Sequence, residues 1–178
     1  MGYFKELYGK MSQKPSSDIA VIDRTKIFRH STEYILERKK RPFSKYNLKV
    51  KRFNGIKHYK GICEKDKHVI GTLDEKPIFC IKDSFKEGTR KDIYLSKNNE
   101  LIGSIKCCPS IRKYIIEYTN LITESKEYLV MKSDRRVVVC GIYQGIGPNA
   151  PLIAHIIEIN VNPANVLFIF LQGLILYL

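Results

Sequence analysis

After Arg136 the sequence contains neither lysine nor arginine, and Glu158 is the only acid in that stretch. A basic flank that would pin the C-terminal apolar run at a lipid interface is therefore missing. Paired C-x-x-C or H-x-x-x-H spacings are also absent, which removes the usual sequence basis for a zinc site. Cys63 with His68, or Cys107 and Cys108 with His155, are the residue types a metal would use, but without that spacing they read as structural. No G-x-S-x-G elbow accompanies His30, His58, His68 or His155, so nothing in the sequence singles out an acyl-transfer nucleophile. Gly141, Gly145 and Gly147 lack the Lys-Ser/Thr that completes a phosphate loop, and they precede a strand rather than a helix. RNP-type, zinc-knuckle and GXXG signatures are missing too. The expectation is a non-enzymatic protein with no cofactor and no metal.

Cysteine is present in an odd number: Cys63, Cys80, Cys107, Cys108 and Cys140. Residues 1–14 are polar and contain no apolar signal core. Both facts point to reduced thiols and a cytoplasmic setting, with peripheral attachment at the inner membrane surface as an extension. Glu6 stands where a myristoylation pattern requires Ser or Thr after Gly2.

What the sequence has in abundance is positive charge. Its 178 residues carry 31 Lys and Arg against 18 Asp and Glu, a formal net charge of +13. A length of this order suits one domain. The excess favours anionic head groups, acidic proteins or nucleic acid as partners. It concentrates between Ile35 and Ile70, where Arg38, Lys39, Lys40 and Arg41 form a cluster and Lys49, Lys51, Arg52, Lys57 and Lys60 follow at strand spacing. These nine residues are the candidate site for an anion or phospholipid. A solvated surface, or a nuclear-localisation-like run, is the plain alternative. Tyr46, Phe53 and Tyr59 lie among the cations. Aromatics interleaved with positive charge suit base stacking in single-stranded nucleic acid, but core packing is the commoner role of strand aromatics.

Periodicity predicts strands from Tyr46 onward. Asn47–Phe53 alternates, Ile56–Ile62 and His68–Leu73 are short candidates, and Tyr114–Tyr118, Tyr128–Met131, Val137–Cys140 and Leu152–Ile159 follow. Between Asp92 and Lys106, the run Ser96-Lys97-Asn98-Asn99-Glu100 reads as a hairpin turn, because Asn tolerates left-handed backbone angles. Gly141–Pro151 reads as a loop, Met1–Ser17 as a mobile leader, and Ser31–Arg41 as a short helix that stops before Pro42. The tail Val166–Leu178 is apolar on every side. Thirteen helical residues reach about 20 Å, short of the roughly 30 Å hydrocarbon core. A buried helix enclosed by protein is thus favoured over a membrane-spanning segment, with Asn162 as cap and Pro163 in the first turn.

The run from Ile93 through the Asn98-Asn99 turn to Ile102-Gly103-Ser104-Ile105 and Cys107-Cys108-Pro109 resembles the tubby C-terminal-like superfamily. That superfamily includes the phospholipid scramblases and the LURP-one-related proteins. The ending, Ile153–Ile159 followed by Asn162-Pro163-Ala164-Asn165 and the apolar tail, is similar to its closing helix. The resemblance spans residues 46–178 and implies a mainly β fold: an antiparallel closed barrel around a buried C-terminal helix. Residues 1–45 have no counterpart in it and read from their own sequence as a flexible, partly helical basic leader. In tubby proteins basic residues on the barrel hold a phosphoinositide head group, but those residues have no one-by-one match here, so the resemblance implies the fold and the charge suggests the ligand. The scramblases' acidic calcium stretch has no match here, since Gln144–Asn162 holds only Glu158, and Cys107-Cys108 is too little of their cysteine-rich run to carry over its palmitoylation. The expected function is binding of anionic phospholipid or an acidic partner through the basic surface. The alternatives are a scramblase-like lipid-translocating protein, a nucleic-acid-binding module, and a fold whose ligand site has been lost.

Overall fold

The computed structural model describes residues 15–25, 34–38, 48–52, 56–63, 68–84, 89–108, 113–133 and 139–157. They form eleven strands: β1 Tyr34–Arg38, β2 Leu48–Arg52, β3 Lys57–Cys63, β4 His68–Gly71, β5 Pro77–Asp83, β6 Arg90–Leu95, β7 Glu100–Cys108, β8 Lys113–Asn120, β9 Ser125–Ser133, β10 Val139–Gln144 and β11 Leu152–Ile157. Sheet order follows sequence order from β1 to β11. The fold is therefore mainly β, as expected, but the sheet is not closed into a barrel. The correction has a physical reason. Alternating residues and short turns specify pairing between neighbours in sequence, whereas closure needs the first and last strands to meet with the right tilt and stagger. The closing helix expected over Val166–Leu178 lies outside the described residues, among which no helix occurs.

Two compact units divide the chain: Phe28–Ser104, and Met1–Ile27 together with Ile105–Leu178. In the first, β1 through β6 pair consecutively and antiparallel. Register separates its two faces. Val50 lies opposite Tyr59, Ile70 opposite Phe79, and Ile81 opposite Ile93. Val50, Ile70, Phe79, Ile81 and Ile93 are all buried, and this aligned row is the unit's core. Tyr34–Arg38 is a strand paired with β2, not part of the helix expected over Ser31–Arg41. Tyr34, Ile35 and Leu36 find a sheet partner in β2, and tertiary pairing overrides a weak local helix signal.

In the second unit, β8 pairs with β9, β9 with β10, and β10 with β11. Ile115, Val130, Tyr143 and Leu152 follow one another across these four strands and pack together with Ala150. The opposite face is also buried, by Ile116, Tyr118, Leu129, Met131 and Ile142. The loop expected over Gly141–Pro151 is shorter than predicted, because β10 continues through Gln144. Gly141 serves close packing rather than a turn: a Cβ there would stand 3.0 Å from Leu152 Cδ1.

Residues 15–25 join this second unit as a strap. Ile19, Ala20 and Val21 are buried, and two buried side-chain amides hold the backbone from Ser16 to Ala20. Asn120 Oδ1 accepts the N–H groups of Ala20 (3.1 Å) and Ile122 (3.0 Å), while its Nδ2 donates to the Asp18 carbonyl (2.8 Å) and Glu127 Oε1 (2.9 Å). Gln144 Oε1 accepts the Ser16 N–H at 2.8 Å, and its Nε2 donates to the Ser17 carbonyl (3.1 Å) and hydroxyl (2.9 Å). The Leu121 N–H donates to the Ala20 carbonyl at 2.7 Å.

Candidate anion-binding face

The sequence-predicted cations fall on β1, β2 and β3. Arg38 ends β1 and Arg52 ends β2, while Lys39, Lys40 and Arg41 lie outside the described residues. Lys49 and Lys51 alternate with buried Val50 and so belong to the face of β2 away from the core row. Across the β2–β3 ladder Lys49 stands opposite Lys60, and, past a one-residue irregularity, Lys51 stands opposite Lys57. Directly opposed residues have Cβ atoms about 5 Å apart, and successive same-face residues are about 7 Å apart along a strand. Four ammonium-bearing side chains therefore occupy one small area of one face. Lys57 is exposed; Lys49, Lys51 and Lys60 are half-buried.

Like charges directly opposite one another oppose sheet formation. Part of that cost is offset within the protein. Lys60 Nζ contacts Glu75 Oε1 at 2.9 Å, and Lys49 is in register with Glu37 of β1 as well as with Lys60. Farther along the same face the charges alternate. Lys82 is opposite Asp92, lies 5.0 Å from the Tyr94 ring centroid and reaches Asn99 Oδ1 at 3.2 Å. Arg90 Nε holds Asp92 at 3.2 Å on this face, while Lys91 is paired with Asp83 on the face of the core row. The lysine quartet on β2 and β3 is thus the concentrated positive area of this unit's described strands.

Of the interleaved aromatics, Tyr59 is opposite Val50 and shares the core face rather than the lysine face. Tyr46 and Phe53 lie outside the described residues. Cys63 and His68 prove to be direct register partners on β3 and β4. Two residues do not make a tetrahedral zinc site, and no group of three or more His, Cys, Asp or Glu residues capable of holding a metal occurs among the described residues. No helix long and apolar enough to cross a membrane occurs among the described residues.

Sequence reasoning did not find the Lys49–Lys60 and Lys51–Lys57 pairing, because register is a property of two strands and the irregularity after Val50 displaces it by one residue. It also missed β5, whose initial Pro77 masks a buried Phe79 and Ile81. No family model matches the chain, and neither a curated protein nor a solved structure matches it.

Proposed function

We propose that the chain is a non-enzymatic binding domain that associates with anionic phospholipid through the lysine-bearing face of β2 and β3. One observation carries this reading: the register sets Lys49 against Lys60 and Lys51 against Lys57 on a single face. Four like charges gathered in one area attract a sheet of phosphates laid over them. The resemblance to tubby-like proteins is a likeness of sequence pattern and carries none of this reading. The position of Tyr59 on the opposite face weighs against single-stranded nucleic acid, which needs bases stacked beside the cations.

Sedimentation with vesicles of neutral or phosphatidylserine-containing lipid, across a salt series, tests the proposal. Binding is expected only to the anionic vesicles and is expected to weaken as salt rises. Each cation near an anionic surface contributes about 1 kcal/mol, so the Lys51→Ala/Lys57→Ala double variant loses about 2 kcal/mol, a roughly thirtyfold fall in partitioning. Equal recovery with both vesicle types at low salt sinks the lipid reading.

A further inference from the structure

Within the unit Phe28–Ser104, three large apolar side chains stand in solvent: Ile56 is 56% exposed, Leu73 43% and Leu101 52%. Single exposed apolar residues are ordinary, but these three are not scattered. The meander brings them to one end of the strands, where β2 finishes, β3 begins, β4 finishes, β5 begins, β6 finishes and β7 begins. Ile56 immediately precedes β3, Leu73 sits in the connection from β4 to β5, and Leu101 is the second residue of β7.

The connection carrying Leu73 is closed tightly. Thr72 N–H donates to the Lys76 carbonyl at 2.9 Å, and Glu75 N–H donates to the Thr72 carbonyl at 3.1 Å. Glu75 and Asn99, in two of the connections at this end, hold positive φ angles of 66° and 56°. Leu73 therefore stands on a hydrogen-bonded turn. Strands in a sheet are about 4.8 Å apart, so the span from β3 to β7 is about 19 Å.

Lysines accompany the tips. Lys57 adjoins Ile56, Lys51 is opposite Lys57 in the ladder, Lys76 closes the Leu73 turn, and exposed Lys97 lies in the turn before Leu101. Three exposed acids stand at the same end: Asp74 follows Leu73, Glu75 is held by Lys60, and Glu100, which adjoins Leu101, accepts from Asn98 Nδ2 at 2.9 Å. Lysines outnumber acids around the apolar tips, five (Lys51, Lys57, Lys60, Lys76 and Lys97) to three (Asp74, Glu75 and Glu100), and apolar tips with a net positive surround match a bilayer interface, where apolar side chains leave water and cations stay level with phosphate.

We infer that this end of the unit enters the surface of an anionic membrane, with Ile56, Leu73 and Leu101 in the outer acyl region and Lys51, Lys57, Lys76 and Lys97 at the head groups. The inference rests on the lipid reading above and adds to it the part of the molecule that penetrates.

Because the sequence contains no tryptophan, a Leu73→Trp variant reports from one place without background. On phosphatidylserine-containing vesicles its emission is expected to shift to the blue and to be quenched by bromines on the acyl chains. The triple variant Ile56→Ser/Leu73→Ser/Leu101→Ser is expected to partition about tenfold more weakly, and its remaining binding is expected to disappear at high salt. Circular dichroism checks its fold, and the tryptophan reporter stands alone should that variant not fold. Unchanged emission from vesicle-bound Leu73→Trp protein overturns the inference while leaving the head-group reading intact. Failure of the wild-type chain to bind these vesicles at low salt overturns both. A blue shift that appears without vesicles and tracks a rise in oligomeric mass assigns the tips to contact between copies, and also overturns the inference.

Discussion

Asn120 shows how much one side chain can organise. It is fully buried and uses all four hydrogen-bonding positions of its amide: two accepted from Ala20 and Ile122, two donated to Asp18 and Glu127. An Asn120→Ala change would strand several of these partners away from water at once. Unsatisfied buried groups cost about 1–3 kcal/mol each, and relaxation recovers part of the total, so a loss of about 3 kcal/mol is expected in urea unfolding. Gly71 is constrained in a different way. A Cβ there would sit 2.7 Å from the Lys76 carbonyl oxygen, which is backbone and cannot swing aside. Gly71→Ala is expected to cost about 2 kcal/mol by the same measurement, because the β4–β5 turn must open to admit it. Neither role was legible in the sequence. An asparagine at a turn reads as a local backbone former, and nothing local announces a partner a hundred residues upstream.

At the level of elements, legibility followed the distance over which each element is specified. The β6–β7 turn was readable because its chemistry is local: Asn99 adopts the positive φ that the Asn-Asn pair suggested. Strands β2, β3, β4, β8, β9 and β11 were readable from alternation, to within a few residues at their ends. The strap was not, since Ile19-Ala20-Val21 is three apolar residues in a polar stretch and acquires meaning only against Asn120 and Gln144. Its contacts join residues separated by 100 to 128 positions, whereas every strand pairs with its sequence neighbour. Such non-local contacts form late in folding because loop closure precedes their reward. Gln144→Ala is accordingly expected to raise the unfolding rate while leaving the refolding rate nearly unchanged in stopped-flow experiments, the signature of a contact absent from the transition state. A proportional fall in refolding rate would place the strap in the nucleus instead.

For the molecule as a whole, the composition announced the chemistry of a partner without locating it. A net charge of +13 predicts attraction to anionic surfaces from any orientation. Register then narrows the candidate area to Lys49, Lys51, Lys57 and Lys60 on one face. Closure of the sheet failed as an expectation, as did the helix over Ser31–Arg41, and closure concerns the longest distance in the fold. Local patterning says which residues point inward, not whether distant strands meet. The alternation of Lys49, Val50 and Lys51 is the same in an open sheet as in a barrel.

The strap has a practical consequence for anyone who shortens the chain. A fragment begun at Tyr46, where the regular strand pattern sets in, would omit β1 together with the peptide that covers Asn120 and Gln144. Those two amides would then face water, and the apolar surface beneath Ile19 and Val21 would be laid bare. Poor solubility of such a fragment would report the missing roof, and supplying residues 15–25 as a separate peptide is the natural attempt at repair.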